Sequence, residues 1–178
     1  MRNIVLCLAI IMACSVTAAD MQAITQHVPD AKKVGQGRYR YLLFNVYDAQ
    51  LFAPGGAWHA DQPYALVLSY LRYLRGDLIA KRSAEEIRKQ GFEQEQILTE
   101  WQEKMTALFP DVNKNTSITG IRTEQGHTLF YFNDQFIGRI DDTQFSDLFF
   151  GIWLSEATTA PGLRRQLLGG TVQTDDTS

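Results

Sequence analysis

The chain has 178 residues, of which 45% are hydrophobic, 21% charged and 11% aromatic. Lys and Arg number 17 against 20 Asp and Glu, a formal charge of -3, which argues against the basic stripe that a nucleic-acid ligand requires. The apolar content excludes a disordered chain, and the length suits one domain with a closed core.

Residues 1–19 read MRNIVLCLAIIMACSVTAA. One basic residue, Arg2, precedes an apolar run from Ile4 to Ala13 that is too short to span a bilayer. Small residues at Val16 and Ala18, or Thr17 and Ala19, then supply a cleavage site. This pattern predicts an export signal peptide and a periplasmic protein. A loose lipobox, Ile11-Met12-Ala13 before Cys14, offers lipid anchoring at Cys14 as the alternative. Cys7 and Cys14 are the two cysteines, so ordinary cleavage leaves a chain without thiols. The expected domain runs from 20 to 170, with a polar tail over 171–178.

In the mature chain, residues 38–52 (RYRYLLFNVYDAQLF) predict a long strand or a bent strand pair, ended by Ala53-Pro54-Gly55-Gly56. Tyr64–Arg72 predicts a strand buried on both faces, because its apolar run is nearly continuous. Ser83-Ala84-Glu85-Glu86 has capping-box spacing and predicts a short helix from there to Gly91. Ile97, Leu98, Trp101, Met105 and Leu108 keep helical spacing and predict an amphipathic helix over 94–108, stopped by Pro110. Residues 117–123, 127–132 and 135–140 then predict a three-strand antiparallel meander. Asp141 or Asp142 caps a helix striped by Phe145, Leu148, Phe149, Ile152 and Trp153. A last helix starts around Pro161 and ends at Gly169-Gly170. Strands in antiparallel runs and helices in separate blocks make the class α+β.

Recognisable catalytic chemistry is sparse. His27, His59 and His127 have no ligand-spaced partners, so no metal site is expected. Gly35-Gln36-Gly37 precedes a strand rather than a helix, which fails the context of a dinucleotide loop. No nucleotide or other cofactor is expected. The Asp141-Asp142 pair is read as a helix cap. What remains is arginine among tyrosine: Arg38, Tyr39, Arg40, Tyr41 and Tyr47 on the first long strand, and Tyr70, Arg72 and Tyr73 on the next. Strand alternation puts Arg38 and Arg40 on one face and Tyr39, Tyr41 and Tyr47 on the other. Such residues facing a cleft hold a carboxylate, phenolate or enolate oxygen. The structural alternative has their polar tips in solvent and their stems packed over the sheet.

Several segments together resemble the bacterial chalcone isomerase-like family of exported proteins. They are Gly35-x-Gly37-Arg38-x-Arg40, the run Asn45–Pro54, Leu68–Arg72, Leu108–Val112, and FFGIWL at 149–154 with PxLRxxLLG at 161–169. The resemblance covers about residues 34–170. It implies an open-faced β-sandwich, a large antiparallel sheet with helices packed on one side and a cleft between. It also implies that Tyr47 stands near the hydroxyl position of the long strand, with Arg38 or Arg40 as the anion-binding arginine.

Relatives in that superfamily either cyclise chalcones through an enolate or bind fatty acids by their carboxylate. The stretch 83–108 lacks a clear counterpart of the Tyr and Asn that the plant enzymes carry on the helix covering the cleft, and only Thr143 is hydroxylated where those enzymes have a Thr-Ser pair. The expected function is therefore binding of a small apolar or aromatic anion by Arg38, Arg40 and Tyr47. The alternatives are an isomerase or lyase acting on an enone, and an envelope protein with a closed cleft. Phe145, Phe149 and Trp153 are assigned to the core rather than to the cleft.

Overall fold

The computed structural model describes residues 18–170. The expected tail and all of the expected leader but Ala18 and Ala19 lie outside the described residues. The chain begins with helix α1 (Ala18–His27) and continues into strands β1 (Ala31–Tyr41), β2 (Phe44–Pro54) and β3 (Tyr64–Tyr70). Helices α2 (Gly76–Lys89) and α3 (Glu95–Leu108) follow, then strands β4 (Ser117–Arg122), β5 (Thr128–Phe132) and β6 (Gln135–Ile140), and finally helices α4 (Thr143–Leu154) and α5 (Pro161–Leu167). The six strands form one antiparallel sheet in the order of the sequence. The class is α+β, and the sheet with helices on one side is the architecture that the family resemblance implies.

Period-two alternation decides what each face of the sheet buries. Ala49, Leu51, Leu66, Leu68, Ile118 and Phe130 point toward helices α2 to α5 and form the main core. Phe52, Ala65, Val67, Ile121, Leu129 and Tyr131 point the other way, where Ala23 and Ile24 of α1 and Val28 just after it cover them. Strand β3 is therefore buried on both faces, which is why its sequence is a nearly continuous apolar run interrupted only by Ser69. A second, smaller layer on the back of the sheet was not expected.

The stretch read as one strand or a bent pair is a hairpin. Tyr41 pairs with Phe44, so Leu42-Leu43 is a two-residue turn. The pairing brings Tyr39 opposite Tyr47 and Arg38 opposite Asp48.

The meander over β4 to β6 forms as predicted, turning at Gly126 and Asn133, both at positive φ. Helix α3 also follows its apolar spacing. Asp142, rather than Asp141, caps α4 by accepting from the Phe145 amide at 3.1 Å, and its other oxygen accepts from the Trp101 indole at 3.0 Å. The aromatic residues of α4 then fill the space over the sheet. Gly120 leaves room on β4 for Phe150, whose ring atoms would lie 3.2 Å from a Cβ at that position.

The start of α2 corrects the capping-box reading. The helix begins at Gly76, and Ser83 lies in its interior, donating to the Ile79 carbonyl at 2.9 Å. Its N-cap residue, Arg75, makes no side-chain cap, and Asp77 in the first turn accepts from the Leu78 amide at 2.9 Å. The Gly76 amide instead donates to Asp111 at 2.9 Å, and the same carboxylate accepts from the Tyr73 hydroxyl at 2.8 Å. Those two bonds hold the Asp111 carboxyl below its usual range, with the Gly76 amide the larger influence. Gly76 is needed for the close approach, because a Cβ there would overlap the Phe109 carbonyl.

Candidate functional site

Where β1, β2 and β3 meet α2 and α4, the packing leaves a cavity of about 330 Å³. This is within the size range of small-molecule pockets. Its walls are mostly apolar: Leu68, Leu74, Ile79, Phe109, Ile118 and Ile152 contribute, with Tyr39, Tyr41, Tyr47 and Tyr70. Tyr47 occupies the centre of an aromatic row. Its ring stacks on Tyr39 with centroids 5.1 Å apart and meets the edge of Tyr70 at 5.9 Å. The Tyr39 contact follows from the β1–β2 register and the Tyr70 contact from the β2–β3 register, since Tyr47 is the partner of both.

The Tyr47 oxygen accepts a hydrogen bond from the Trp153 indole at 2.9 Å. Burial drives the Tyr47 phenol far above its ordinary pKa, and the Trp153 bond only partly opposes that rise. Burial raises Tyr70 as well. The Tyr70 hydroxyl has no hydrogen-bond partner among the described residues. Both phenols are therefore neutral donors at physiological pH and not bases.

Two charged regions border this apolar space. Glu86 of α2 lines it, is 7% exposed, and accepts from Thr159 at 2.6 Å, Arg82 at 2.7 Å and Lys89 at 2.9 Å. Burial by itself would raise this carboxyl, but the Thr159 and Lys89 hydrogen bonds and the charges of Arg82 and Lys89 outweigh it and hold it below the usual range. Arg82 is thereby neutralised where it meets the cavity. Arg72, just beyond β3, is the other lining arginine. Its guanidinium stands 4.7 Å over the Phe44 ring, and among the described residues it has no carboxylate partner.

Of the residues expected from the sequence, Tyr47 lines the cavity. Arg38 pairs with Asp48 through two hydrogen bonds of 2.5 and 2.9 Å and does not line it. Strand alternation from Tyr39 and Tyr47 puts that pair on the opposite face of the sheet. Arg40 is exposed and also absent from the lining.

The sequence does carry a signal for Arg72. Leu66, Leu68 and Tyr70 share the helix-facing side of β3, and two residues further brings Arg72 to the same side. Phe149 and Trp153, assigned to the core, line the cavity as well as closing the core. Phe145 is wholly core. Among the described residues no group of three or more His, Cys, Asp or Glu is placed to hold a metal ion.

Comparison with known proteins adds three findings. A family model described as chalcone isomerase-like matches residues 21–169. An uncharacterised protein of Haemophilus influenzae is 29% identical over 140 residues, covering 78% of this chain and 68% of that one. The crystal structure of an Arabidopsis thaliana fatty-acid binding protein superposes with a TM-score of 0.63 at 11% identity, covering 79% of this chain and 88% of that one. At that identity the likeness is one of fold.

Proposed function

The chain belongs to the chalcone isomerase-like family, and on that premise we propose that its cavity binds a small apolar anion, a fatty acid or an aromatic acid. The apolar part lies among Leu68, Tyr70, Ile118 and Phe149, and the carboxylate is met at the Arg72 side. The observation that carries this reading is the contrast between the two lining arginines. Arg82 is matched by the buried Glu86, which repels a second carboxylate, whereas Arg72 has no acid of its own. Tyr47 and Tyr70 remain protonated and donate hydrogen bonds toward a bound oxygen. The likeness in fold to a protein named for fatty-acid binding supports the choice of ligand.

The reading includes export. Cleavage after Ala19 would keep Ala23 and Ile24 of α1, and Val28 just after it, over the back of the sheet, which supports a leader separate from the packed domain. Mass spectrometry of the N-terminus from the native host tests that step, and a diacylated Cys14 would replace the soluble periplasmic form with an anchored one.

Displacement of a fluorescent fatty acid tests the site. Arg72→Gln is expected to weaken binding of a long-chain carboxylate roughly tenfold, the range of one hydrogen bond to a charged group. The corresponding fatty alcohol should bind both proteins alike, and Arg38→Gln should change nothing. Absence of carboxylate binding to the wild-type chain would overturn the reading, as would Arg72→Gln binding the carboxylate normally.

A further inference from the structure

The turn between β1 and β2 is made of residues that a turn in water disfavours. Two-residue hairpin turns take Asn, Asp or Gly because the backbone enters the left-handed region. Here the turn is Leu42-Leu43, and Leu42 stands at φ 53°. Leu42 is 79% exposed and Leu43 97% exposed, with Tyr41 and Phe44 also exposed on either side. Four consecutive large apolar residues thus project from one end of the sheet, in a conformation that strains one of them.

This tip continues into the cavity. Tyr41 is both an exposed residue of the tip and part of the cavity lining, and so is Leu78 on the first turn of α2. The strand leading to the tip is rich in cations, two of which are matched by flanking acids, Lys32 by Asp30 and Arg38 by Asp48. Ala31–Tyr47 contains four cations and no acid, although the whole chain carries -3. Arg40 and Arg72 have no carboxylate partner among the described residues, and Arg72 lies against Phe44 of the tip. Exposed leucines flanked by aromatic rings and unpaired arginines match an anionic lipid surface, which offers acyl chains below and phosphates above. A second copy of the chain fits poorly, because joining two tips would bring like-charged arginines together.

We propose that the β1–β2 turn is a membrane-docking tip: Leu42 and Leu43 enter the interface of an anionic bilayer, Arg40 and Arg72 meet headgroup phosphates, and the cavity mouth faces the acyl chains. The proposal rests on the apolar-anion reading of the cavity and gives it a route by which a chain enters or leaves.

The test compares the full chain with Leu42→Asn/Leu43→Gly. That variant supplies the turn residues a hairpin prefers and touches no cavity residue, so it is expected to fold and to unfold no earlier in denaturant. Flotation would use vesicles of phosphatidylglycerol with phosphatidylethanolamine, and phosphatidylcholine vesicles for comparison. The wild-type chain should float with the anionic vesicles, more weakly with phosphatidylcholine and more weakly at high salt. The variant should lose roughly tenfold or more of that partitioning, from the two leucines it no longer buries.

In vesicle-free solution both proteins should bind a fluorescent fatty acid with equal Kd. Failure of the wild-type chain to float would overturn the proposal. So would equal flotation of the variant, which would place the attachment elsewhere, or wild-type dimers that the variant abolishes. Tip-dependent flotation without fatty-acid binding by either protein would keep the tip and overturn the reading of the cavity.

Discussion

The Trp153 indole on α4 donates to the Tyr47 oxygen on β2 across 2.9 Å, tying a helix to the sheet at the wall of the cavity. The bond uses the phenol as an acceptor and leaves its own proton free to face a ligand. Burial keeps that proton in place, so Tyr47 can stabilise an anion by donating but cannot serve as a general base near neutral pH.

Tyr47→Phe removes one oxygen and leaves the Trp153 N–H without its partner in a buried place. The expected loss is about 1–3 kcal/mol of stability, the usual penalty for orphaning a buried donor. Trp153→Phe removes the other partner, and the double variant should be less destabilised than the sum of the two. Urea unfolding of all four proteins measures the coupling. Strict additivity would mean that the bond contributes nothing in solution.

Glu86 makes stability depend on pH in a stated direction. Its carboxyl titrates lower in the folded chain than in the unfolded one, so the unfolded state binds more protons as acid is added. The contribution is complete above the unfolded pKa, roughly 4.3, and is lost as pH falls through the lower folded value. Glu86→Gln should therefore be less stable than wild type at pH 7, and the difference should shrink at pH 3. Denaturant midpoints at the two pH values check this, and a difference that grows on acidification would contradict it.

Asp111 and Ser83 separate the true start of α2 from the apparent one. Asp111→Ala leaves the Gly76 amide and the Tyr73 hydroxyl without their acceptor, and a measurable loss of stability is expected, as for a removed N-cap. Ser83→Ala removes only a bond back to the Ile79 carbonyl within a formed helix, and its effect should stay within about 0.5 kcal/mol. Thermal melts rank the two, and a larger loss for Ser83→Ala would overturn this assignment.

Gly35 lies where α5 rests on the backbone of β1. A Cβ at Gly35 would overlap the carbonyls of Gln166 and Leu167, and one at Gly37 would press on Leu163 and the Gln166 side chain. Gly35→Ala should destabilise by about 2–3 kcal/mol through overpacking. Gly162→Ala, where the nearest atom in the way is a flexible Arg165 nitrogen at 3.9 Å, should cost far less. The denaturation midpoints of the two variants give the comparison.

The strands and helices that signal themselves locally were legible. The meander over 117–140 shows its turns, α4 shows its aspartate, and α3 shows its apolar stripe. Three features depend on distant partners and were not. The cap of α2 is Asp111, 35 residues beyond the amide it holds, so a chance capping box at Ser83 looked stronger than the real boundary. The Leu42-Leu43 turn lacks turn residues, so the stretch reads as a long strand or a bent strand pair with no turn placed in it. The alternation rule separated Arg38 from Tyr47, and the hairpin register adds that Asp48 is the partner of Arg38 on that opposite face. Arg72 could have been reached by extending the same rule two residues past Tyr70.

Strand order follows the sequence, yet one junction of the sheet differs from the rest. The β1–β2 and β4–β5–β6 ladders close over turns of a few residues, whereas β3 meets β4 only after the long excursion through α2 and α3. Closing that larger loop carries the greatest chain-entropy cost of any strand pairing, so the local hairpins are expected to form before it. The cavity takes residues from β1, β2 and β3, from β4 and from α2 and α4, so it is complete only once that loop has closed. A ligand of the proposed kind is therefore expected to slow unfolding and to leave the folding rate nearly unchanged.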